Sequence, residues 1–356
     1  MIKQFNLIVV ALLTFTAFGS NAQTLVNFNN PKIHYMGRTP VTDSTAELSW
    51  TAASVVIRFN GTAVKATLND EKGLNYYNVV VDNKVAKVMR LDKGKKEYQL
   101  VTGLKAGPHQ LQLFKRTEYD WGRTWFYGLN ISGKLLAPPT YRHKIEYYGD
   151  SITCGMADED TTGKDRGDNT YENGYASYAN VAARYFNADV SCISKSGIGV
   201  TISWFDYVMP DIYDRVYAHD TTRWDFKRYT PELVVVNLFQ NDSWLVKNTK
   251  HEQFKKLFGD TPPTPEFIIS RYQSFIKSIR NKYPKAKIVC ALGSMDATKT
   301  GSPWPGYIQK AIAGLNDKGI YTHFFAYKNT NGHPSVKEQQ IMGDDLTAFI
   351  KEKMKW

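Results

Sequence analysis

The sequence predicts an α/β protein in two parts: an N-terminal β-sandwich of jelly-roll type, then a three-layer α/β/α domain around a mostly parallel sheet. Three observations carry this. Residues 27–138 repeat short alternating apolar runs between turn residues, with no helical pattern of useful length. From Lys144 onward, strand-like runs alternate with amphipathic helical patterns. At 356 residues the chain is long for one core, so two domains are the better expectation.

Residues 1–22 read as a cleaved secretory signal. Lys3 comes early, the apolar run 7–18 is too short to span a bilayer, and Ser20-Asn21-Ala22 offers a small-residue site before Gln23. No cysteine stands there to take a lipid anchor, so a secreted or periplasmic protein with no membrane anchor is expected. The β-sandwich is assigned to residues 23–138. Residues 55–59 and 64–68 read as a hairpin turning at Asn60-Gly61. The runs 77–81, 98–101 and 109–114 alternate again, and Lys93-Gly94-Lys95-Lys96-Glu97 reads as a hairpin tip. Leu136-Ala137-Pro138-Pro139 marks the boundary, and residues 139–356 form the second domain.

In that second domain, residues 145–148, 189–193, 233–238, 287–292 and 321–325 are the strands. The third is apolar on both faces, as a buried parallel strand should be. Residues 175–186, 267–282, 307–316 and 336–353 carry helical spacing. Sheets of this kind bind ligands beyond the carboxyl ends of their strands.

Three strand ends carry what acyl transfer needs. The first runs into Gly149-Asp150-Ser151, where a serine can project its hydroxyl while the next helix offers free N–H groups. The second delivers Gly197, whose backbone N–H can approach a substrate without a side chain in the way. The third gives Asn241-Asp242, and the Asn241 amide can donate to an oxyanion. His333 precedes the last helix and can act as base. Singly each is weak, because Gly-Asp-Ser often marks a plain turn and a strand-end glycine often serves only the turn. Trp204, Trp244 and Trp304 follow strands two, three and four, where indole faces could stack on sugar rings, and Trp304, between Pro303 and Pro305, reads as part of a loop; burial in the core is the competing reading.

In this order the blocks resemble the SGNH (GDSL) hydrolase superfamily. Gly37-Arg38, Asn60-Gly61, Gly107-Pro108-His109 and Lys115-Arg116-Thr117-Glu118 are similar to the β-sandwich of carbohydrate esterase family two. The resemblance implies Ser151 as nucleophile and His333 as general base and acid, with Gly197, Asn241 and the Ser151 amide as oxyanion hole. Two positions depart from it. Phe239 stands where the third block has glycine, and Thr330 stands where the orienting aspartate lies three residues before the histidine. The family includes members without that acid, so a Ser151–His333 dyad is expected, with the acid absent or supplied from elsewhere.

The remaining features argue against other chemistries. Cys154, Cys192 and Cys290 read as buried apolar residues, with a Cys154–Cys192 bridge left open. No cysteine pair has zinc spacing, and the polar segment 158–173 lacks calcium spacing, so neither metal nor cofactor is expected. The formal net charge of +11 is scattered, which argues a solvated surface and no nucleic-acid partner. The resemblance implies a secreted esterase that removes O-acetyl groups from plant polysaccharides or oligosaccharides, such as xylan and glucomannan, with a leaning to 6-O-acetyls. A lipase or thioesterase on the same fold, or a carbohydrate-binding protein with a weakened site, are the alternatives.

Overall fold

The structure is a computed structural model and describes residues 23–356, so the expected leader lies outside the described residues. Nine antiparallel strands come first: β1 (Gln23–Asn27), β2 (His34–Met36), β3 (Ala46–Leu48), β4 (Ser54–Asp70), β5 (Tyr76–Val81), β6 (Lys84–Arg90), β7 (Gly94–Val101), β8 (Pro108–Lys115) and β9 (Thr124–Leu135). Their order is β1-β9-β4-β8-β5-β6, with β2 and β7 also on β4 and β3 on β9. Alternate residues Val55, Ile57, Phe59, Val64, Ala66 and Leu68 of β4 meet Leu111, Leu113, Phe126 and Ile131 in one core.

Strand β4 corrects one expectation. Asn60-Gly61 is no hairpin turn; the chain runs straight through it as a 17-residue strand. Up to Asn60 the strand pairs with β8, and from Val64 it pairs with β7. A register shift against β9 falls between Gly61 and Ala63. The strand therefore changes neighbours at a bulge, the device by which one strand serves two layers of a sandwich. Glycine is needed because a Cβ at Gly61 would stand 2.1 Å from the Ser132 carbonyl oxygen. The lysine-rich run 93–97 likewise is no tip. It leads into β7, which pairs with β4 alone, and exposed lysines suit such an edge.

The second half contains a parallel sheet in the order β11-β10-β12-β13-β14. Its strands are β10 (His143–Gly149), β11 (Ala188–Ser194), β12 (Leu233–Asn237), β13 (Lys287–Leu292) and β14 (Ile320–Phe324). The helices are α1 (Ser151–Cys154), α2 (Tyr178–Tyr185), α3 (Met209–Ile212), α4 (Gln240–Leu245), α5 (Glu252–Phe258), α6 (Pro265–Lys282), α7 (Trp304–Ala313) and α8 (Val336–Met354). The pleat divides each strand between two cores. Tyr148, Val234, Val236 and Cys290 pack with Tyr272, Phe275 and Ile308 of α6 and α7. Tyr147, Val235, Val289 and Ala291 pack with Ala179, Ala182, Met342 and Leu346 of α2 and α8. Three layers result.

The two halves lock together through buried polar groups. Arg38, in the loop after β2, donates to Glu146 of β10 at 2.8 Å, to the Tyr148 hydroxyl at 3.0 Å, and to the Tyr213 and Arg215 carbonyls. Both ions are fully buried, and Tyr148 and Tyr283 also donate to the carboxylate. Such a pair survives burial because both guanidinium NH groups and both carboxylate oxygens are hydrogen-bonded, with only the Arg38 Nε lacking a partner among the described residues. Among the described residues, no helix is long and apolar enough to cross a membrane.

Candidate active site

Strand register brings the site together. Gly149 pairs with Ser194 on one side and Asn237 on the other, so Ser151, Gly197 and Asn241 all leave the sheet just past the same level. Ser151 is the first residue of α1, and its N–H therefore has no intrahelical acceptor. Asp150 caps this short helix by accepting the Ile152 N–H at 3.1 Å. Burial pushes the Asp150 carboxyl up to about 7. Gly149 must be glycine here, since a Cβ would stand 2.0 Å from Thr153 Oγ1 as the helix folds back over the strand.

His333 meets this serine from the other end of the chain. Its Nε2 lies 2.7 Å from Ser151 Oγ, within reach for proton transfer. The segment is held by α8, whose cap Ser335 and Glu338 form a reciprocal capping box. Thr330, where the resemblance would put an acid, is turned away. Its hydroxyl donates to Glu338 and it accepts from Lys328, so it builds the turn.

An acid arrives from elsewhere. Asp165, in the polar loop 156–173, places Oδ2 3.0 Å from His333 Nδ1, off the line of the ring N–H. Its Oδ1 accepts the His333 backbone N–H at 2.5 Å. Gly332 makes room, because a Cβ there would stand 2.6 Å from the same oxygen. Burial alone would raise the Asp165 carboxyl, but the nearby His333 imidazole and the His333 backbone N–H hold it below the usual carboxylate range. The loop is shaped by Asp160, which accepts from the Thr162 hydroxyl and N–H and from the Arg166 guanidinium. Sequence reasoning missed Asp165. The loop's richness in aspartate was visible, but nothing at residue 165 pointed to residue 333.

Gly197 has φ +82 and lies against Trp204 and Phe205, where a Cβ would stand 3.3 and 3.2 Å from their rings. Its N–H has no acceptor among the described residues. Asn241 donates through Nδ2 to the Ile198 carbonyl at 2.9 Å and accepts the Trp204 indole N–H through Oδ1 at 3.0 Å. One partner can only accept and the other only donate, so the amide orientation is determined and one Nδ2 hydrogen is left over. Next to it, the Asp242 carboxylate collects the Val200, Thr201 and Ile202 N–H groups at 2.6–3.2 Å and holds the loop. Burial still pushes Asp242 up to about 6. Phe239 keeps a left-handed backbone, φ +93, at the position the resemblance gives to glycine, while its ring packs on Tyr272 and Trp304.

The three tryptophans separate. Trp204 is 46% exposed beside Gly197 and Asn241. Trp244 is half-buried, with its indole N–H on Asp296. Trp304 corrects an expectation: it lies in no loop but opens α7, only 5% exposed. Pro305 beside it sits within the first turn of the helix, where its missing N–H costs nothing. A core residue packed on Phe239 cannot serve as a sugar platform. Cys154 and Cys192 are free and buried, so the possible bridge does not form. Among the described residues, no cluster of three His, Cys, Asp or Glu side chains could hold a metal ion.

Comparison with known proteins agrees with this architecture. Residues 35–139 match the carbohydrate esterase 2 N-terminal model and residues 147–319 the GDSL-like lipase/acylhydrolase model. The chain is 33% identical over 343 residues to the cellulase/esterase CelE of Acetivibrio thermocellus, covering 92% of this chain but only 40% of that protein. It is 24% identical to an acetylxylan esterase / glucomannan deacetylase of Cellvibrio japonicus, covering 98% of each. Among solved structures, a family two carbohydrate esterase from Clostridium thermocellum, in complex with cellohexaose, is 32% identical. It superposes with a TM-score of 0.81 over 91% of this chain and 99% of that one. With the family's N-terminal model matched and 32% identity over 99% of a family two structure, the chain belongs to carbohydrate esterase family two.

Proposed function

We propose that the protein is an exported serine esterase that removes O-acetyl groups from plant polysaccharides or their oligosaccharides, with residues 23–138 and 139–356 working as one unit. The observation that carries this is the 2.7 Å approach of Ser151 Oγ to His333 Nε2. His333 takes the serine proton as Oγ attacks the acetyl carbonyl. The negative oxygen rests on the Ser151 and Gly197 N–H groups and the free Asn241 Nδ2 hydrogen, and losing one such donor typically costs about 100- to 1000-fold. His333 then returns its proton to the departing sugar oxygen, leaving an acetyl-enzyme. A water, deprotonated by the same imidazole, attacks the acetyl carbon, and His333 returns that proton to Ser151 Oγ as the acyl–oxygen bond breaks, releasing acetic acid. Asp165 keeps the ring in place and offsets its charge while the proton resides there. Xylan and glucomannan are the proposed substrates because relatives are named for them, and Trp204 is the proposed sugar contact. Export rests on the leader at residues 1–22.

The test is acetate release from acetylated xylan and glucomannan, with NMR identifying the oxygens deacylated. Ser151→Ala is expected to lower turnover by about ten-thousand-fold or more. Full activity in that variant would end the reading. Hydrolysis of octanoyl esters faster than acetyl esters would favour a lipase instead.

A further inference from the structure

The turn that presents Gly197 is a β-turn closed by the Ile198 N–H on the Lys195 carbonyl at 3.3 Å. Gly197 occupies its third position with φ +82, as a type II turn requires. Such a turn leaves the two central N–H groups unused. One, on Gly197, has no acceptor among the described residues; the other, on Ser196, donates to the Glu118 carboxylate at 2.7 Å. Glu118 does not belong to the hydrolase half. It follows β8 of the antiparallel half and is buried.

Its surroundings are built to hold it. The Glu118 N–H donates to Glu172, whose other oxygen accepts the Trp121 indole at 2.6 Å. The fully buried Lys115 ammonium donates to the Thr117 and Glu118 carbonyls at 2.8 and 3.0 Å, curling the loop. Burial lowers this lysine to about 8 and pushes Glu172 well above the usual carboxylate range. The Cys154 thiol donates at 3.6 Å to the same Glu118 oxygen, Oε2, that accepts the Ser196 N–H. Asp120, two residues on, pairs with Lys195 at the start of the same turn, and Tyr119 meets Tyr207 by hydroxyl at 2.8 Å. The Ser196 and Gly197 N–H groups belong to successive peptide units joined at the Ser196 Cα, so anchoring the first within this hydrogen-bonded turn restrains where the second points.

We infer that Glu118 is a positioning residue, by which the β half aims the Gly197 N–H at the developing oxyanion. The β half is then a working part of the acyl-transfer site. This rests on the esterase reading above, in which Gly197 is a donor. Glu118 meets no substrate atom in this scheme; it acts through the Ser196 N–H.

The experiment is steady-state hydrolysis of p-nitrophenyl acetate by the full chain, with thermal unfolding as a check on folding. Glu118→Ala is expected to lower kcat about 10- to 100-fold with KM within about twofold, since an aimed donor acts on the transition state. Glu118→Gln, whose amide oxygen can still accept the Ser196 N–H, is expected to recover kcat to within about threefold of wild type. If Glu118→Ala does not fold, Glu118→Asp takes its place: it keeps the charge, retracts the carboxylate by one methylene, and is expected to lose about 10-fold in kcat. A folded Ala variant, or a folded Asp variant in its stead, with wild-type kcat would overturn the inference. So would a loss confined to KM, or a Gln variant as slow as Ala. An inactive wild type, or an active Ser151→Ala control, would instead overturn the esterase reading.

Discussion

Asp165 changes how the imidazole is held. The family position for the acid carries Thr330, which is occupied with Lys328 and Glu338, yet His333 has a carboxylate at Nδ1 all the same. Removing the analogous acid in a well-aligned triad costs about ten-thousand-fold. Here the carboxylate lies off the ring N–H line and also binds the backbone, so Asp165→Asn is expected to cost less, about 10- to 100-fold in kcat/KM. A variant with wild-type kcat/KM would return the site to a dyad. The sign of its stability effect follows from the lowered carboxyl. Its contribution is fully present above the ordinary carboxylate range, near pH 4, and is lost as pH falls through the folded value. The difference in melting temperature between wild type and Asp165→Asn should therefore be present at pH 7 and shrink below about pH 4. A gap that widens on acidification would contradict the pairing. The tryptophans give a second contrast. Trp204→Ala should raise KM for polysaccharide and, by freeing the Asn241 amide, also lower kcat. Trp304→Ala should cost about 3–5 kcal/mol of stability through the cavity it leaves. Denaturant titration and substrate kinetics on both variants separate the two, and the reverse pattern would exchange their roles.

Among the elements, β4 depends most on one small residue. With only 2.1 Å between a would-be Cβ and the Ser132 oxygen, Gly61→Ala must displace backbone in β9. A loss of about 1–3 kcal/mol is expected, in the range of overpacked cores. A melting temperature equal to wild type would show that the bulge can yield. The sequence signal was real but ambiguous, because Asn-Gly marks a hairpin turn and glycine in a strand marks a bulge. Local composition cannot choose between them. Pairing with β8 before the glycine and β7 after it does. The same holds for α7, where prolines on both sides of Trp304 read as loop until one is found in the first turn of a helix.

For the whole molecule, Arg38 ties the halves through a fully buried ion pair. Truncation to Arg38→Met leaves Glu146 buried without its cation and should destabilise by about 3–5 kcal/mol. Removing both charges with Arg38→Met and Glu146→Gln together should recover part of that loss, because no uncompensated ion remains. Denaturant midpoints for the single and double variants test this, and a neutral single variant would show that the tie lies elsewhere. Glu118 and Asp120 make a second tie, this one beside the reacting atoms.

The sequence by itself was enough for the two-part architecture and the strand ends. Alternation of period two, the switch to helical spacing after Lys144, and the glycines and caps around Ser151 and His333 are all written in neighbouring residues. Tertiary structure alone decided which carboxylates lie against the site. Asp165 reaches a residue 168 positions away, and Glu118 one 78 positions away. It also decided that Trp304 is core while Trp204 is exposed. The reason is the range of the signals: turns and periodicity arise from sterics within a few residues, whereas ion placement and burial depend on which loops the closed sheets bring together.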